Sequence, residues 1–397
     1  MVKMDTAFDQ QLVKWRRTFH MFPEVSRKEE NTAKVIVEEL NRMGIKAQTF
    51  NDHFGVCAEI RGAADGPVIA VRADMDALPI KEINEVPYKS VNDGVMHACG
   101  HDGHIAIALG VAKMLADARD SFNGTVKVIF QPAEESSPEG GALLMMKEGI
   151  LDDVDMIFGL HLWPELPFGK VGVRKGALMA ASDRVTIKIL GRGAHAGQPQ
   201  NGVDAITICA DVIQGIGHIM SRQLDPLETA TINIGMIQGG ERYNVIAREV
   251  VMNGTVRTLS AKARKEIPQK IERMLKGNTE GQGGSYELSY QFGYPVLMNA
   301  DEPVEIVTQA VQEVLGSEGL CKTIVPVLGA EDFANYLEKI KGAFFFLGCG
   351  KEGESKVLHG PDFDFDESIL AHGVRVMYQT VLKAIETSAK EQKSEAI

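Results

Sequence analysis

The chain has no apolar run long enough to cross a membrane and no cluster of basic residues. Lysine and arginine number 42 against 54 aspartate and glutamate residues, so the net charge at pH 7 is −12. A protein that binds nucleic acid usually carries a basic surface, and this acidic balance is spread along the sequence. We therefore expect neither a nucleic-acid partner nor a membrane partner.

Cysteine is also scarce, with five residues at wide spacing among 397. An odd number in a long chain does not predict a disulfide framework. Four of the five lie in apolar segments and are interpreted as buried thiols, namely Cys57, Cys209, Cys321 and Cys349. Thiols of this kind are typical of a reducing compartment, so the sequence predicts a cytoplasmic protein.

The hydrophobic content of 44% is enough for two cores in a chain of this length. Up to about residue 183, and again from 295 to 397, strands alternate with helices, which predicts an α/β domain with an open mixed sheet. Between 184 and 294 the order is β-α-β-β-α-β, which is the ferredoxin-like order. The predicted elements of this insertion are strand Val185–Leu190, helix Val203–Met220, strands Ala230–Met236 and Val250–Leu259, helix Ala261–Leu275 and strand Tyr286–Phe292.

The fifth cysteine, Cys99, stands two residues before His101 in a glycine-containing stretch. Apolar residues at helical spacing follow and predict a helix from Ile105 to Asp117, so the pair is expected at a helix N-terminus. These apolar residues are Ile105, Ala108, Leu109, Ala112 and Leu115. Backbone N–H groups and the helix dipole at that position favour a thiolate. The pair alone is a weak signal, because most isolated cysteines are small buried hydrophobes. With the further side chains described next, it indicates a metal ligand.

Polar side chains follow two predicted strands, where the chain leaves the sheet. Glu134 and Glu135 come after the apolar run 126–130, and His161 follows the run 155–160. In an open α/β sheet, ligands gather at the carboxyl ends of the strands. One glutamate of the pair can bind metal while its neighbour acts as a general base. With Cys99, His101 and the C-terminal loop residue His359, these side chains predict a hydrolytic site for transition metals such as zinc or manganese.

Two acidic residues, Asp74 and Asp76, follow shortly after the apolar run 68–71. We expect Asp76 to orient a metal-bound group, as residues behind metal ligands commonly do. Asp74 can equally cap the next turn of the chain. The pair is two residues apart where the strand ends, so only one of them needs to face the metals.

Seven segments resemble, in order, the two-domain metal-dependent amidohydrolase family of hippurate hydrolase, bacterial N-acyl-amino-acid amidohydrolases and plant auxin-conjugate hydrolases. They span nearly the whole chain: 72–79, 96–104, 131–135, 159–164, 193–196, 329–333 and 359–365. The resemblance implies that Cys99 bridges two divalent metal ions and that Glu134 is the general base. It implies that the remaining metal ligands are His101, Glu135, His161 and His359. Related metallopeptidases begin their site with a His-x-Asp pair. This chain lacks that histidine, and the resemblance implies that His101 is the metal ligand in its place.

The resemblance also assigns roles within the inserted segment. It implies that 184–294 is a lid and dimerisation domain, so a homodimer or larger homo-oligomer is expected. His195 becomes an oxyanion donor that reaches the active site of a partner subunit, although a histidine in a glycine loop is by default solvated. Asn244 resembles the family's substrate-carboxylate site, and Arg257 is a candidate to assist it or a surface cation. Where the family usually has proline, this chain has Ala247.

The expected reaction is therefore hydrolysis of the amide bond of an N-acyl amino acid with two divalent ions, manganese or zinc first and cobalt or nickel next. A carboxypeptidase or dipeptidase would use the same site and stays an alternative. A protein that only binds metal and small conjugates is a third interpretation. Glu134 argues against that interpretation, because a structural metal site has no use for a general base.

Overall fold

The computed structural model describes residues 5–351, 353 and 356–395. The chain divides into two compact units. The first, here the sheet unit, comprises Met1–Leu178, Met298–Val325 and Asp332–Ile397. The second, here the inserted unit, comprises Met179–Leu297 and Pro326–Glu331. No helix among the described residues combines the length and the apolar character that spanning a bilayer requires.

The strands and helices follow in chain order. The strands are β1 (Ala47–Thr49), β2 (Val56–Arg61), β3 (Val68–Asp74), β4 (Thr125–Gln131), β5 (Met156–Pro167), β6 (Val171–Gly172), β7 (Gly176–Met179), β8 (Ala181–Leu190), β9 (Ala230–Gly239), β10 (Glu249–Thr258), β11 (Ser285–Gln291), β12 (Leu297–Asn299) and β13 (Gly342–Gly350). The α-helices are α1 (Thr6–Met21), α2 (Glu30–Arg42), α3 (His101–Asp117), α4 (Ala142–Lys147), α5 (Ala205–His218), α6 (Ala261–Glu280), α7 (Asp301–Leu315), α8 (Ala334–Leu337) and α9 (Ile369–Glu395).

The sheet unit contains a seven-stranded sheet in the order β1-β2-β4-β3-β5-β13-β6. Its central strands β4, β3, β5 and β13 run parallel, whereas β2 and β6 pair antiparallel with their neighbours. The predicted α/β class with an open mixed sheet is thus confirmed. Because the parallel strands end on the same side, the loops after β3, β4 and β5 meet at one edge of the sheet.

Apolar residues around most of its circumference bury helix α3 in the core of the sheet unit. The helix begins at His101, four residues earlier than its apolar spacing predicts. Gly100 immediately before it has a φ of 84°, a left-handed conformation that glycine adopts without a steric penalty. This turn lets the chain enter the helix directly after Cys99.

The inserted unit has an antiparallel four-stranded sheet in the order β11-β8-β10-β9, with α5 and α6 sharing its apolar core. The predicted β-α-β-β-α-β succession is observed, and each element matches its predicted range to within a few residues at either end. Alternating burial along β8 places Val185, Ile187 and Ile189 in the core, as expected for a strand with one covered face.

Candidate metal centre

Three parallel strands deliver polar side chains to one edge of the sheet. Asp74 is the last residue of β3 and Asp76 follows it, while β4 leads to Glu134 and Glu135. His161 lies within β5, beyond the point where that strand stops pairing with β3. The topology therefore explains how residues far apart in the sequence come to share one site.

The thiol of Cys99 lies at the centre of this cluster. Its Sγ is 3.4 Å from Nε2 of His161 and 3.3 Å from Nε2 of His359. The same Nε2 of His359 is 3.1 Å from a carboxylate oxygen of Glu135. Ligand atoms of Cys99, His101 and His161, and likewise of Cys99, Glu135 and His359, lie within 4.8 Å of one another. All five predicted metal ligands are thus brought together.

The hydrogen bonds of two histidines leave the same ring nitrogen available for metal. Nδ1 of His101 donates to the backbone oxygen of Asp76 at 2.8 Å, and Nδ1 of His161 donates to the backbone oxygen of Leu162 at 2.6 Å. Nε2 of His101 is buried and has no hydrogen-bond partner within the part of the chain that the structure describes. A backbone acceptor on one nitrogen fixes the tautomer and directs the other nitrogen at a metal. This donor set fits a pair of divalent ions.

The electrostatics of the cluster favour a bound cation. Burial and the carboxylates of Glu135 and Glu134 raise the pKa of the Cys99 thiol well above its usual value. The expected thiolate at the helix N-terminus is therefore wrong for the protein groups alone, because burial and nearby negative charge outweigh the helix dipole. Burial lowers the pKa of His161, which favours the neutral imidazole that binds metal. Burial also opposes protonation of His101, but Asp74 and Asp76 raise its pKa to about 10.

Asp76 holds the turn that carries both glutamates. Its two carboxylate oxygens accept the backbone N–H groups of Glu134 and Glu135, each at 3.0 Å. Its backbone oxygen accepts from His101, as described above, and Ser26 Oγ donates to its side chain at 2.6 Å. One residue thereby orients a candidate ligand and the backbone of the candidate base.

Arg72, a buried arginine that was not predicted as a site residue, stabilises Asp74 next to the cluster. The guanidinium of Arg72 donates to Asp74 at 2.6 Å, to Gln131 at 3.0 Å and to Asp332 at 2.8 Å. Asp74 is thus committed to side-chain partners and does not cap a turn; it also accepts from His104 at 2.6 Å. An arginine inside an otherwise apolar strand was the available signal, since such a charge needs buried partners.

His104 is a neighbour of the cluster with a different task. Its Nδ1 bonds to Asp74, and its Nε2 accepts the backbone N–H of Leu162 at 2.9 Å. Because both ring nitrogens have partners, His104 positions the chain beside His161 and does not offer a lone pair to metal.

Helix α1 anchors the first turn of α3 through a second buried polar group. Asp102 accepts from Arg16 Nε and from His20 Nδ1, each at 2.8 Å. His20 Nε2 bonds to Glu82 at 3.1 Å. Burial opposes the charge on His20, but these carboxylates raise its pKa to about 9. The residue next to His101 is therefore fixed by charged hydrogen bonds.

In the inserted unit, His195 and Asn244 lie in adjacent loops, and both are exposed. Ala196 N donates to the backbone oxygen of Asn244 at 3.1 Å, and Gly197 N donates to Nδ1 of His195 at 3.0 Å. Arg257 is half-buried near the far end of β10, about 27 Å along the strand from the end that leads to these loops. The structure therefore brings His195 and Asn244 together and leaves Arg257 apart from them within the chain.

Comparisons with known proteins agree with this arrangement. The model of Peptidase family M20/M25/M40 matches residues 70–383. The N-acyl-L-amino acid amidohydrolase of Geobacillus stearothermophilus is 44% identical over 291 residues, which cover 73% of this chain and 78% of that relative. Thermostable carboxypeptidase 1 of Saccharolobus solfataricus is 36% identical over 366 residues, or 91% of this chain and 92% of the relative.

A solved structure shows the same likeness in three dimensions. The Bacillus subtilis YXEP protein, described as a dinuclear metal binding peptidase from the M20 family, has a TM-score of 0.86 and 36% identity, with coverage of 96% of this chain and 100% of that chain. The resemblance predicted from the seven sequence segments is confirmed. Since the family model matches most of the chain, this protein belongs to peptidase family M20/M25/M40.

Proposed function

We propose that the protein hydrolyses the amide bond between an acyl group and an amino acid, and so releases a carboxylic acid and a free amino acid. The observation that carries the proposal is the position of Glu134. Its carboxylate is buried beside Glu135 and shares a cluster of potential metal-ligating atoms with His101. A relative named for this reaction supports the same substrate class.

Cys99 and the four candidate ligands around it, His101, Glu135, His161 and His359, would hold two divalent ions. Such ions lower the pKa of water and polarise the carbonyl of the substrate. A thiolate and three imidazoles suit zinc and other late transition metals, whereas the carboxylate of Glu135 also accommodates manganese. We propose manganese or zinc in the cell, with cobalt or nickel as functional substitutes.

Glu134 performs the proton transfers in this proposal. As a carboxylate it accepts a proton from the attacking water, and it then donates that proton to the nitrogen of the departing amino acid. Its backbone is held by Asp76, so the carboxylate starts from a fixed position. A general base placed in this way contributes to rate through orientation as well as through basicity.

The limits 184–294 and the role of that segment as a lid are part of the proposal. Because Nδ1 of His195 accepts the N–H of Gly197, the other ring nitrogen, Nε2, is the one that can donate to a developing oxyanion. The amide of Asn244, in the adjoining loop, can donate to the carboxylate of the amino-acid product. Arg257 lies apart from Asn244 within one chain, so it could supply a further cation for that carboxylate only if the two residues come from different copies of the proposed oligomer.

We also propose a homodimer formed through the inserted unit. Strand β9 is one of the two edges of its four-stranded sheet, and Met236 and Ile237 near the end of that strand are 55% and 50% exposed. Ile206 on α5 is 52% exposed. An edge strand with exposed apolar side chains can pair with a second copy of itself. His195 would then serve the site of the second copy.

A reducing compartment, the cytoplasm, remains our proposal for location. All five cysteines are free, and four of them are buried. Cys99 must keep its sulfur reduced to act as a ligand, because oxidation would add oxygen to the ligating atom.

A carboxypeptidase is the second candidate, since one relative carries that name at 36% identity. It would use the same ions and the same base, and the acyl part would itself be an amino acid. A free α-amino group requires an acidic partner, whereas an acetyl or benzoyl group requires an apolar wall. Rates on N-acetyl amino acids and on the matching free dipeptides separate the two candidates.

The test is the release of free amino acid from a panel of N-acyl amino acids by metal-stripped protein, with manganese, zinc, cobalt or nickel restored one at a time. We expect no turnover without metal and turnover with at least one ion. Turnover of free dipeptides alone would establish the second candidate. Bound metal without turnover of either substrate class would contradict the proposed function.

A further inference from the structure

The turn that carries the two glutamates has an unfavourable backbone conformation at its first residue. Ala133 has a φ of 58°, in the left-handed region, which is sterically unfavourable for a residue with a side chain. Ala133 is fully buried between the end of β4 and Glu134. The direction in which Glu134 and Glu135 leave the sheet depends on this conformation, so whatever holds Ala133 also aims both carboxylates.

Three consecutive backbone amides of the turn donate to two carboxylates. The amides of Glu134 and Glu135 reach Asp76, and the amide of Ala133 reaches Oε1 of Glu29 at 2.8 Å. Glu29 is also fully buried, and the same oxygen accepts the backbone N–H of Arg27 at 2.9 Å. Charge-assisted hydrogen bonds of this length are stronger than neutral ones. Glu29 thus holds the one amide of the turn that Asp76 does not hold.

From its position in the sequence, Glu29 would be expected to cap helix α2. It is the residue before α2, where a side chain usually caps the helix, yet it makes no capping hydrogen bond. Glu24 performs that task, because its oxygens accept the backbone N–H groups of Asn31 at 3.2 Å and of Thr32 at 2.8 Å. The carboxylate of Glu29 is therefore turned away from its own helix and toward the turn at Ala133.

Burying the charged carboxylate of Glu29 is energetically unfavourable, which points to a specific role for this residue. Burial, with the nearby charge of Asp76, raises the pKa of Glu29 to about 7. A buried acid is stabilised only by good hydrogen bonds, and here they are the amides of Arg27 and Ala133. A glutamine has the same acceptor oxygen without the charge, which provides a conservative variant.

We propose that Glu29 is a positioning residue that holds Ala133 in its left-handed conformation and thereby aims Glu134 and Glu135 at the metal centre. The inference rests on the proposed function, because that function gives Glu134 and Glu135 the roles of base and ligand. Glu29 itself touches neither metal nor substrate. Its effect travels through one backbone amide.

The experiment compares Glu29→Ala, Glu29→Gln and the control Glu24→Ala, each as the full chain. Metal affinity is measured by titrating metal-stripped protein with Mn²⁺ or Zn²⁺ in a calorimeter, and kcat is measured on N-acyl amino acids below all melting temperatures. We expect Glu29→Ala to weaken metal binding about 10- to 100-fold and to lower kcat at least about tenfold, with KM changed less. Glu29→Gln should stay within about threefold of the wild type, because its amide oxygen still accepts.

The control separates positioning from general stability. Glu24→Ala removes the cap of α2 and should lower the melting temperature while metal affinity and kcat stay within about threefold of the wild type. If Glu29→Ala does not fold, Glu29→Asp replaces it, since the shorter side chain keeps the charge but withdraws the carboxylate from Ala133. The proposal is overturned if the variant at position 29 that removes the contact binds metal as the wild type does, or if Glu24→Ala weakens binding equally.

The two readouts also distinguish this inference from the proposed function. Metal titration requires no substrate, so weakened binding in Glu29→Ala would support the positioning role even if the wild type hydrolysed no N-acyl amino acid. Conversely, normal wild-type turnover together with unchanged metal affinity and kcat in Glu29→Ala would refute the positioning role and leave the proposed function intact.

Discussion

The metal centre and the polar loops of the inserted unit represent two ways of placing functional residues. Asp76 and His161 are 1% and 4% exposed and are tied by hydrogen bonds to backbone or buried side chains. His195 and Asn244 are exposed in loops, and their neighbours are mainly backbone groups of the same loops. The first set is organised before anything binds. The second set becomes useful only when substrate or another chain supplies its partner.

Replacement of Glu134 by glutamine should have the largest effect on kcat. It tests the role of the buried, hydrogen-bonded metal centre. The amide cannot accept the proton of water, so we expect kcat to fall by about 10³-fold or more. The backbone bond from residue 134 to Asp76 remains, and metal content should be unchanged. Glu139→Gln, at an exposed acid in the same loop, is the control and should keep full activity. Wild-type turnover by the Glu134→Gln variant would refute its role as base.

Removal of the His195 side chain tests the role of the exposed loops of the inserted unit. His195→Ala should lower kcat about 10²-fold, because an oxyanion donor contributes about 3 kcal/mol to the transition state. Since the residue is exposed, the melting temperature and the metal content should not change. A clear drop in the melting temperature of His195→Ala, alongside the loss of kcat, would show that His195 stabilises the fold. It would contradict the contrast between the buried metal centre and the exposed loops.

A smaller, pH-dependent effect should distinguish buried from exposed histidines. The pKa of His20 is raised to about 9 from 6.5, so its charge stabilises the folded state fully below pH 6.5, and this contribution disappears as the pH rises through 9. His20→Asn should therefore be less stable than the wild type by about 1 to 3 kcal/mol at pH 6, and the difference should shrink as the pH rises from 6.5 and vanish above pH 9. Denaturant unfolding at several pH values measures it. His218→Asn, at an exposed histidine of the inserted unit, is the control, and an identical pH dependence there would argue against the buried cluster.

The sequence was sufficient to predict most of the fold because the periodicity is strong. Val68–Val71 and Val126–Phe130 are apolar runs that become β3 and β4, and the inserted unit follows its predicted order of elements. The start of α3 was placed four residues too late, because the first turn contains polar histidines and an aspartate that have no apolar period. Those residues face buried polar partners, which no local pattern reveals.

The residues of the candidate metal centre were also predictable, since cysteine, histidine and acidic residues at strand ends are chemically distinctive. The residues behind them were harder to find. Glu29 and Arg72 act through contacts with residues about 100 or more positions away, such as Ala133 and Asp332, and these contacts exist only after the sheet has formed. The raised pKa of the Cys99 thiol in the absence of a cation could not be predicted, because the nearby carboxylates come from another part of the chain.

The most direct test of the account is anomalous diffraction from crystals of the manganese- or zinc-loaded protein. We predict two ions per chain, each bonded to Cys99 Sγ, at about 2.3 Å for zinc, with the ring nitrogens Nε2 of His101, His161 and His359 among their ligands. A single ion, or two ions of which neither contacts Cys99, would contradict it.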